Sequence, residues 1–346
     1  MPINYEPIDT TTDVATTRTL LHEVIPLTGT IVSGTYGTFP NDDNIKNYSH
    51  GMFQSVYDYP YLSSSANHIF DLTAGFDESS PLSGSVSSVQ ETKKINMYNQ
   101  FSQVLLGYTG STNRVRLFES DLTLDEDSPM KETIFVNLSR LLTKDEIKKG
   151  SVSITLGTAS WANPFSGLKT FTDADAAENA GTLNTIGGDY GILSSSTAGV
   201  GGVVFYQAGV MVLTSSIWTG TTDFFSQSGT ARTIDNQLVS GSISGSADAF
   251  RHRLYNLQFN NTTEINSTVY FCRMPHNKFN YSSNPTYLNA GSIRVKNNSR
   301  NNPPISYITT VGLYNSQNEL LAVAKLSEPL RKDPTNELTL RVRLDY

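Results

Sequence analysis

Charge is scarce in this sequence. Asp, Glu, Lys and Arg make up 16% of the 346 residues, against about 25% in ordinary soluble domains, and Ser, Thr, Asn and Gly fill the space. The surface this predicts is polar but nearly neutral, as in β-rich assemblies whose outside is covered by partners, because interface cores are depleted of Lys, Glu and Asp. Cysteine is almost absent. Cys272 stands alone, which excludes an internal disulfide framework and fits a reducing compartment; by itself it reads as a small buried hydrophobe. The formal charge of −7 and a pI near 5.3 exclude a protein that coats nucleic acid, which needs clustered Lys and Arg. The basic clusters present, Lys148 with Lys149 and Arg341 with Arg343, read as solvated or salt-bridged faces.

Long apolar runs are missing as well. The longest, residues 201–213, is interrupted by Gln207 and is too short to span a bilayer. Residues 1–13 lack the basic and apolar regions of a signal peptide, so neither secretion nor membrane residence is expected. The sequons at Asn266 and Asn280 then read as chance products of Asn and Ser abundance.

Catalytic and metal spacings are equally absent. The five histidines, at positions 22, 50, 68, 252 and 276, form no H-x-x-x-H or H-x-H pair that could share a metal. The acidic run at residues 121–127 lacks the central Gly and terminal Glu of a calcium loop and reads as a solvated turn. No G-x-S-x-G elbow occurs. Gly199, Gly201 and Gly202 are followed by Val204 where a dinucleotide loop needs its third glycine. Paired carboxylates for sugar cleavage have no spacing signature, so that alternative stays open. The reading is of a non-enzyme with no catalytic, cofactor-binding or metal residue and no cofactor. Tyr57, Tyr59 and Tyr61 are candidate interface residues, since a Tyr-rich segment more often anchors a protein contact or packs in a core than binds glycan.

Patterning divides the chain into three stretches. Residues 1–87, cut by Pro26, Pro40, Pro60 and Pro81, read as an arm with irregular strands. Within it Val14, Thr17, Leu21 and Val24 share a helical face ahead of Pro26, and residues 31–36 alternate as a weak strand. Residues 88–157 and 247–346 read as the main β domain. A helix is predicted at about 88–106, opened by the Ser88/Glu91 capping box and closed by Gly107. A second is predicted at 143–149 from Thr143, Glu146 and Gly150, between strands marked by Ile134, Val136, Leu138 and by Val152, Ile154, Leu156. Residues 158–246 read as a Ser/Gly/Thr-rich β insertion, with a hairpin or bulge at Gln207, Ala208 and Gly209 and flexible or interfacial loops at 192–202 and 240–247. The last hundred residues are strand upon strand. In the final one Leu338, Leu340, Val342 and Leu344 should be buried on one face and Arg341 and Arg343 should face out; because the sequence stops at Tyr346, this strand is expected to close or edge a sheet. The predicted fold is mainly β, an antiparallel β-sandwich-like core with two helices and a β-rich insertion.

Particular residues then carry a resemblance. Tyr307-Ile-Thr-Thr-Val-Gly-Leu-Tyr-Asn315, followed by Asn318-Glu-Leu-Leu-Ala-Val-Ala-Lys325 and by the alternating strand ending at Asp345, resembles the closing β-segment of phage baseplate and tail proteins. In its physical reading Gly312 permits close backbone approach, residues 315–318 make the turn, and the apolar residues bury on a neighbouring sheet. The stretches at residues 94–101, 141–150, 204–209 and 278–285 are similar to virion structural proteins of large contractile-tailed bacteriophages (myoviruses). The resemblance implies a structural subunit of the virion, in the baseplate or attached to the tail, assembled in the bacterial host cytoplasm. Its partners would be other virion structural proteins and copies of itself in a symmetric assembly, with no direct nucleic acid and no membrane. Arg341 and Arg343 join the three tyrosines as interface candidates. The alternatives are a head, neck or capsid-associated protein, or a receptor-binding tail protein; for the last, the elongated repeats of trimeric fibres are missing.

Overall fold

The computed structural model describes residues 5–27, 43–84, 88–109, 114–178, 181–227, 229–281, 288–289, 292–295 and 299–346. The strands of the first half are β1 (Val14–Pro26), β2 (Ile45–Asn47), β3 (Gln54–Tyr57), β4 (His68–Phe76), β5 (Phe118–Glu119), β6 (Pro129–Met130), β7 (Glu132–Leu138), β8 (Glu146–Ile147), β9 (Ser153–Gly157) and β10 (Leu168–Thr172). Those that follow are β11 (Thr182–Thr185), β12 (Gly188–Ser195), β13 (Gly199–Phe205), β14 (Val210–Thr214), β15 (Phe225–Gln227), β16 (Thr230–Arg232), β17 (Leu254–Met274), β18 (Leu288–Asn289), β19 (Ser292–Val295), β20 (Ser306–Tyr314), β21 (Leu320–Lys332) and β22 (Leu338–Asp345). The helices are α1 (Val89–Leu105), α2 (Arg140–Thr143), α3 (Ile234–Ser240) and α4 (Ile243–Arg253). The chain is therefore mainly β. It forms two compact units, Leu21–Thr263 and Met1–Leu20 with Glu264–Tyr346, whose boundaries fall inside β1 and β17 rather than at the 87/88, 157/158 and 246/247 steps read from composition.

The larger unit is organised by one antiparallel sheet in the order β17, β9, β10, β12, β13, β14, β7, β4, β3, β2. Both faces of its middle strands are buried. Alternate residues of β7, β13 and β14 go to different cores: Ile134, Val136, Val204, Met211 and Leu213 to one, and Phe135, Val203, Phe205, Val210 and Val212 to the other. That is the period of two expected of a pleated strand, here with apolar residues at both parities. The first core also takes Val56 and Ile69 from one end of the sheet and Ile154, Leu257 and Phe259 from the other, so the sheet folds back over it as a sandwich does. The hairpin expected at residues 207–209 joins β13 to β14, with Val203 opposite Val212 and Gly209 at φ +70°, a conformation that glycine adopts without strain.

Helix α1 matches its predicted bounds to within a residue. Ser88 caps it, accepting from the Glu91 amide at 3.2 Å, and Gly107 follows at φ +84°. The reciprocal half of the capping box is replaced: the Glu91 carboxylate accepts from the Gly84 amide instead. The helix stands directly on β4 because Gly75 has no side chain; a Cβ there would lie 2.7 Å from the Lys94 carbonyl oxygen.

Four sequence expectations are overturned. Residues from Val14 form strand β1 rather than a helix, because Thr16, Thr17, Thr19, Val24 and Ile25 favour strand and the segment pairs with β17. The helix expected at 143–149 lies earlier, as the single turn α2, and Glu146 and Ile147 pair with Thr262 and Asn261 of β17; a sheet partner outcompetes two turns of weak helix. The 192–202 tract is ordered hairpin: β12 pairs with β13, and a Cβ on Gly201 would stand 2.4 Å from the Phe171 ring. The 240–247 tract opens α4, where Ser242 accepts from the Gly245 amide at 3.0 Å and small residues let the helix pack closely. The strand expected at 31–36 lies outside the described residues.

Lys94 is fully buried and reaches from α1 to the C-terminus of α3, where it donates to the carbonyls of Gln237 at 3.3 Å, Gly241 at 2.7 Å and Leu238. The Gln237 carbonyl also accepts from the Gly241 amide at 3.0 Å, and the Leu238 and Gly241 carbonyls meet the ammonium where the helix no longer supplies donors, so one ammonium fastens two helices. Lys94→Met should lower stability by about 2–3 kcal/mol, since it strands buried acceptors. Burial, with the nearby Arg232 charge adding to it, holds the Lys94 pKa down at about 8 against an ordinary 10.5. Between those values the unfolded chain binds a proton that the folded chain lacks, so wild-type stability should rise with pH relative to the Met variant. Denaturant melts at about pH 7 and about pH 9.5 check this; a stability difference that does not change with pH contradicts it.

Candidate assembly surfaces

The two units differ in how they are held together. Every member of both apolar cores belongs to the larger unit. Among the residues of the smaller unit whose side chains are described, the buried apolar ones are Val269, Met274, Leu313 and Val342. Polar ties do much of the remaining work. The second half of β17 pairs with β22 from Ser267 opposite Asp345 to Met274 opposite Leu338, and the Phe271 amide donates to the Asp13 carbonyl at 2.8 Å. Arg273 pairs with Asp13 at 2.7 Å and Lys278 with Glu6 at 2.5 Å, and Arg18 pairs with Glu264. The buried Lys332 ammonium donates to Asn280 Oδ1 at 2.7 Å and to the Asp333 carbonyl at 3.0 Å. Exposed ion pairs contribute about 0–1 kcal/mol each, and small sheets need an apolar face against a second layer to be independently stable.

The smaller unit instead exposes apolar residues. Strands β20 and β21 form a two-stranded ribbon that pairs with no other strand among the described residues. Tyr307, Tyr314, Leu320, Leu321 and Val323 are all exposed, Leu321 at 67%. The sequence pattern calls for a neighbouring sheet over these residues, and the described residues supply none. The space beside Gly312 is taken not by a neighbouring backbone but by the Tyr314 ring and Leu320, which come within 2.9 and 3.2 Å of where a Cβ would be.

Of the interface residues read from sequence, Tyr57, Tyr59 and Tyr61 lie in the larger unit. Tyr57 ends β3 and is half-buried; its ring is edge-on to His68 at 5.6 Å and 6.3 Å from Tyr61. Tyr59 and Tyr61 are exposed in the β3–β4 connection, and so is Leu62, at 85%, which sequence reasoning passed over. Asp58 clamps this connection by accepting from the Asn67 amide at 2.6 Å and side chain at 2.8 Å. Arg341 and Arg343 lie in the smaller unit on the exposed face of β22. Arg343 donates to Asp345 at 2.6 Å and Ser267 at 2.9 Å. Leu338, Leu340 and Leu344, expected to be buried with Val342, share its alternation but are only half-buried.

Two clusters invite a chemical reading. Ser55 donates to Asp71 Oδ1 at 2.5 Å, and His68 Nε2 meets the same oxygen at 2.8 Å. These are the residue types of a hydrolytic triad in the wrong order: the carboxylate sits between serine and imidazole, where nucleophilic activation needs the imidazole in the middle. Burial pushes the Asp71 carboxyl up, but the hydrogen bonds from His68, Ser55 and Asn137 outweigh it and hold the group below its ordinary value, so it serves as a charged anchor for β3 and β4. In the acidic loop, carboxylate oxygens of Glu119, Asp121 and Asp127 lie within 4.8 Å of one another. Thr123, Ser128 and the Glu126 amide donate to this group, and the charge of Asp125 pushes Asp127 up.

Fold and surface together define a mainly β protein with one well-cored unit and one that leaves apolar strand faces uncovered. Compared with protein-family models, curated proteins and solved structures, the chain matches none.

Val342→Asp should destabilise the protein by about 3 kcal/mol, because a carboxylate would replace one of the few buried apolar groups of the smaller unit. Arg341→Ser, on the opposite face, should change stability by about 0.5 kcal/mol or less. Thermal melts of the two variants check the register; an unchanged midpoint for Val342→Asp contradicts it.

Proposed function

We propose that the chain is a non-enzymatic structural subunit of a tailed-phage virion, in the baseplate or attached to the tail, which acts through protein–protein assembly. The observation that carries this reading is the smaller unit: long strands with exposed Tyr, Leu and Val and with few buried apolar side chains among those described. Large uncovered apolar patches are unusual on free-standing proteins and mark surfaces that another chain covers. The strand pattern from Tyr307 to Asp345 supports the phage assignment, being the segment that resembles the closing strands of baseplate and tail proteins. The low charge fraction agrees with a subunit whose outside is shared among neighbours.

Mass spectrometry and density maps of purified particles test the proposal. The chain should be present in stoichiometric amounts, and each copy should bury well over about 2,000 Å² across its neighbours, as permanent complexes do. Isolated copies with small wet contacts, or absence from the particle, would contradict it. The non-enzymatic part is tested by incubating the purified chain with peptidoglycan and host polysaccharide. No release of fragments is expected; turnover abolished by replacing a single carboxylate would contradict it.

A further inference from the structure

The outward face of the β20–β21 ribbon is apolar with one cation at its margin. Val323 lies opposite Gly312, and Lys325 lies opposite Thr310 two residues along the same face. Tyr314 and Leu320 fill the space beside Gly312, and Tyr5 extends the patch, its ring centroid 5.0 Å from that of Tyr314. We propose that this face is covered by a second copy of the same chain, which seats the exposed connection from Tyr59 to Leu62 on it, head to tail. The inference rests on the reading of the chain as an assembly subunit and names one partner in that assembly.

Charge selects this occupant. The smaller unit carries 11 Lys and Arg against nine Asp and Glu, and the larger unit 14 against 23. Packing ribbon on ribbon across a twofold axis would set one net positive unit against another. Packing the ribbon of one copy on the larger unit of another sets a net positive surface against a strongly negative one, which favours encounter and fixes orientation. The Tyr59 to Leu62 segment has the matching chemistry: three exposed large apolar side chains within four positions, next to Asp58, whose carboxylate is held in place by Asn67 and can face Lys325. Aromatic and aliphatic groups at the centre with a charged margin are the usual anatomy of a stable contact. A head-to-tail contact leaves one free surface at each end, so association continues into a ring or a filament.

Sedimentation velocity on the purified full chain between about 1 and 100 μM tests this. The wild type should grow in mass with concentration, and added salt should weaken the association. Val323→Asp and Leu62→Asp both fall on exposed positions, so each variant should keep its circular dichroism and melting temperature. Each alone should associate at least about tenfold more weakly. An equimolar mixture should form one-to-one pairs and nothing larger, because only one intact ribbon can meet one intact loop. A wild type that stays monomeric throughout, variants that associate like wild type, or a mixture that stays monomeric would each overturn the proposal; the first result would assign the face to a different chain. Self-association of a chain absent from particles would sink the virion reading and leave this contact standing.

Discussion

The distribution of buried apolar surface is the constraint on which the rest of this structure depends. In the larger unit the middle strands carry apolar side chains on both faces, so the sheet must be covered twice, by its own folded-back ends and by the layer that includes α1. In the smaller unit apolar residues also alternate along β20, β21 and β22, but few find cover within the described chain. Apolar burial at roughly 25 cal/mol per Å² is the main favourable term in folding, so a unit that withholds it draws its stability from backbone pairing, ion pairs and polar ties such as Lys332 with Asn280. Covering those faces with another chain supplies the missing term.

Two buried cations show how the larger unit fixes its small helices and loops. Lys94 joins α1 to α3 through carbonyls at a helix end, and Arg253 donates to the carbonyls of Phe224 at 3.1 Å, Ala159 at 2.7 Å and Asp223 at 2.8 Å. Burial lowers the pKa of Arg253 to about 10, which leaves it charged at neutral pH. In both cases one side chain donates to several backbone carbonyls at once, an arrangement that specifies a single geometry of loop and helix.

Much of the β architecture was legible in the sequence, and the failures have physical causes. Alternation located β7, β9 and β22, and the turn chemistry at Gln207 to Gly209 placed the β13–β14 hairpin, because period and turn signals are local. The first turn of α1 was legible through Ser88 for the same reason. Strand β1 was misread because Val14, Thr17, Leu21 and Val24 also fit a helical spacing, and the pairing with β17 that decides the matter is more than two hundred residues away in sequence. Helix α4 was hidden by small residues, which read as loop when their packing partners are unknown, and α3 is only seven residues long. The exposure of Leu320, Leu321 and Val323 was illegible in principle: an apolar residue on an alternating strand looks the same whether its cover belongs to its own chain or to another. Leu62 was missed because nothing local distinguishes an exposed leucine from a buried one, and the triad-like order of Ser55, Asp71 and His68 emerges only when β3 pairs with β4.

The chain combines one well-cored unit with strands that leave apolar faces exposed. Hydrogen–deuterium exchange, read by mass spectrometry on the isolated chain and on the chain in its native assembly, tests that division most directly, because amide protection reports local stability segment by segment. In the isolated chain β20, β21 and β22 should exchange much faster than β7, β13 and β14, and they should become protected in the assembly. Equal protection of the two sets in the isolated chain would contradict the account.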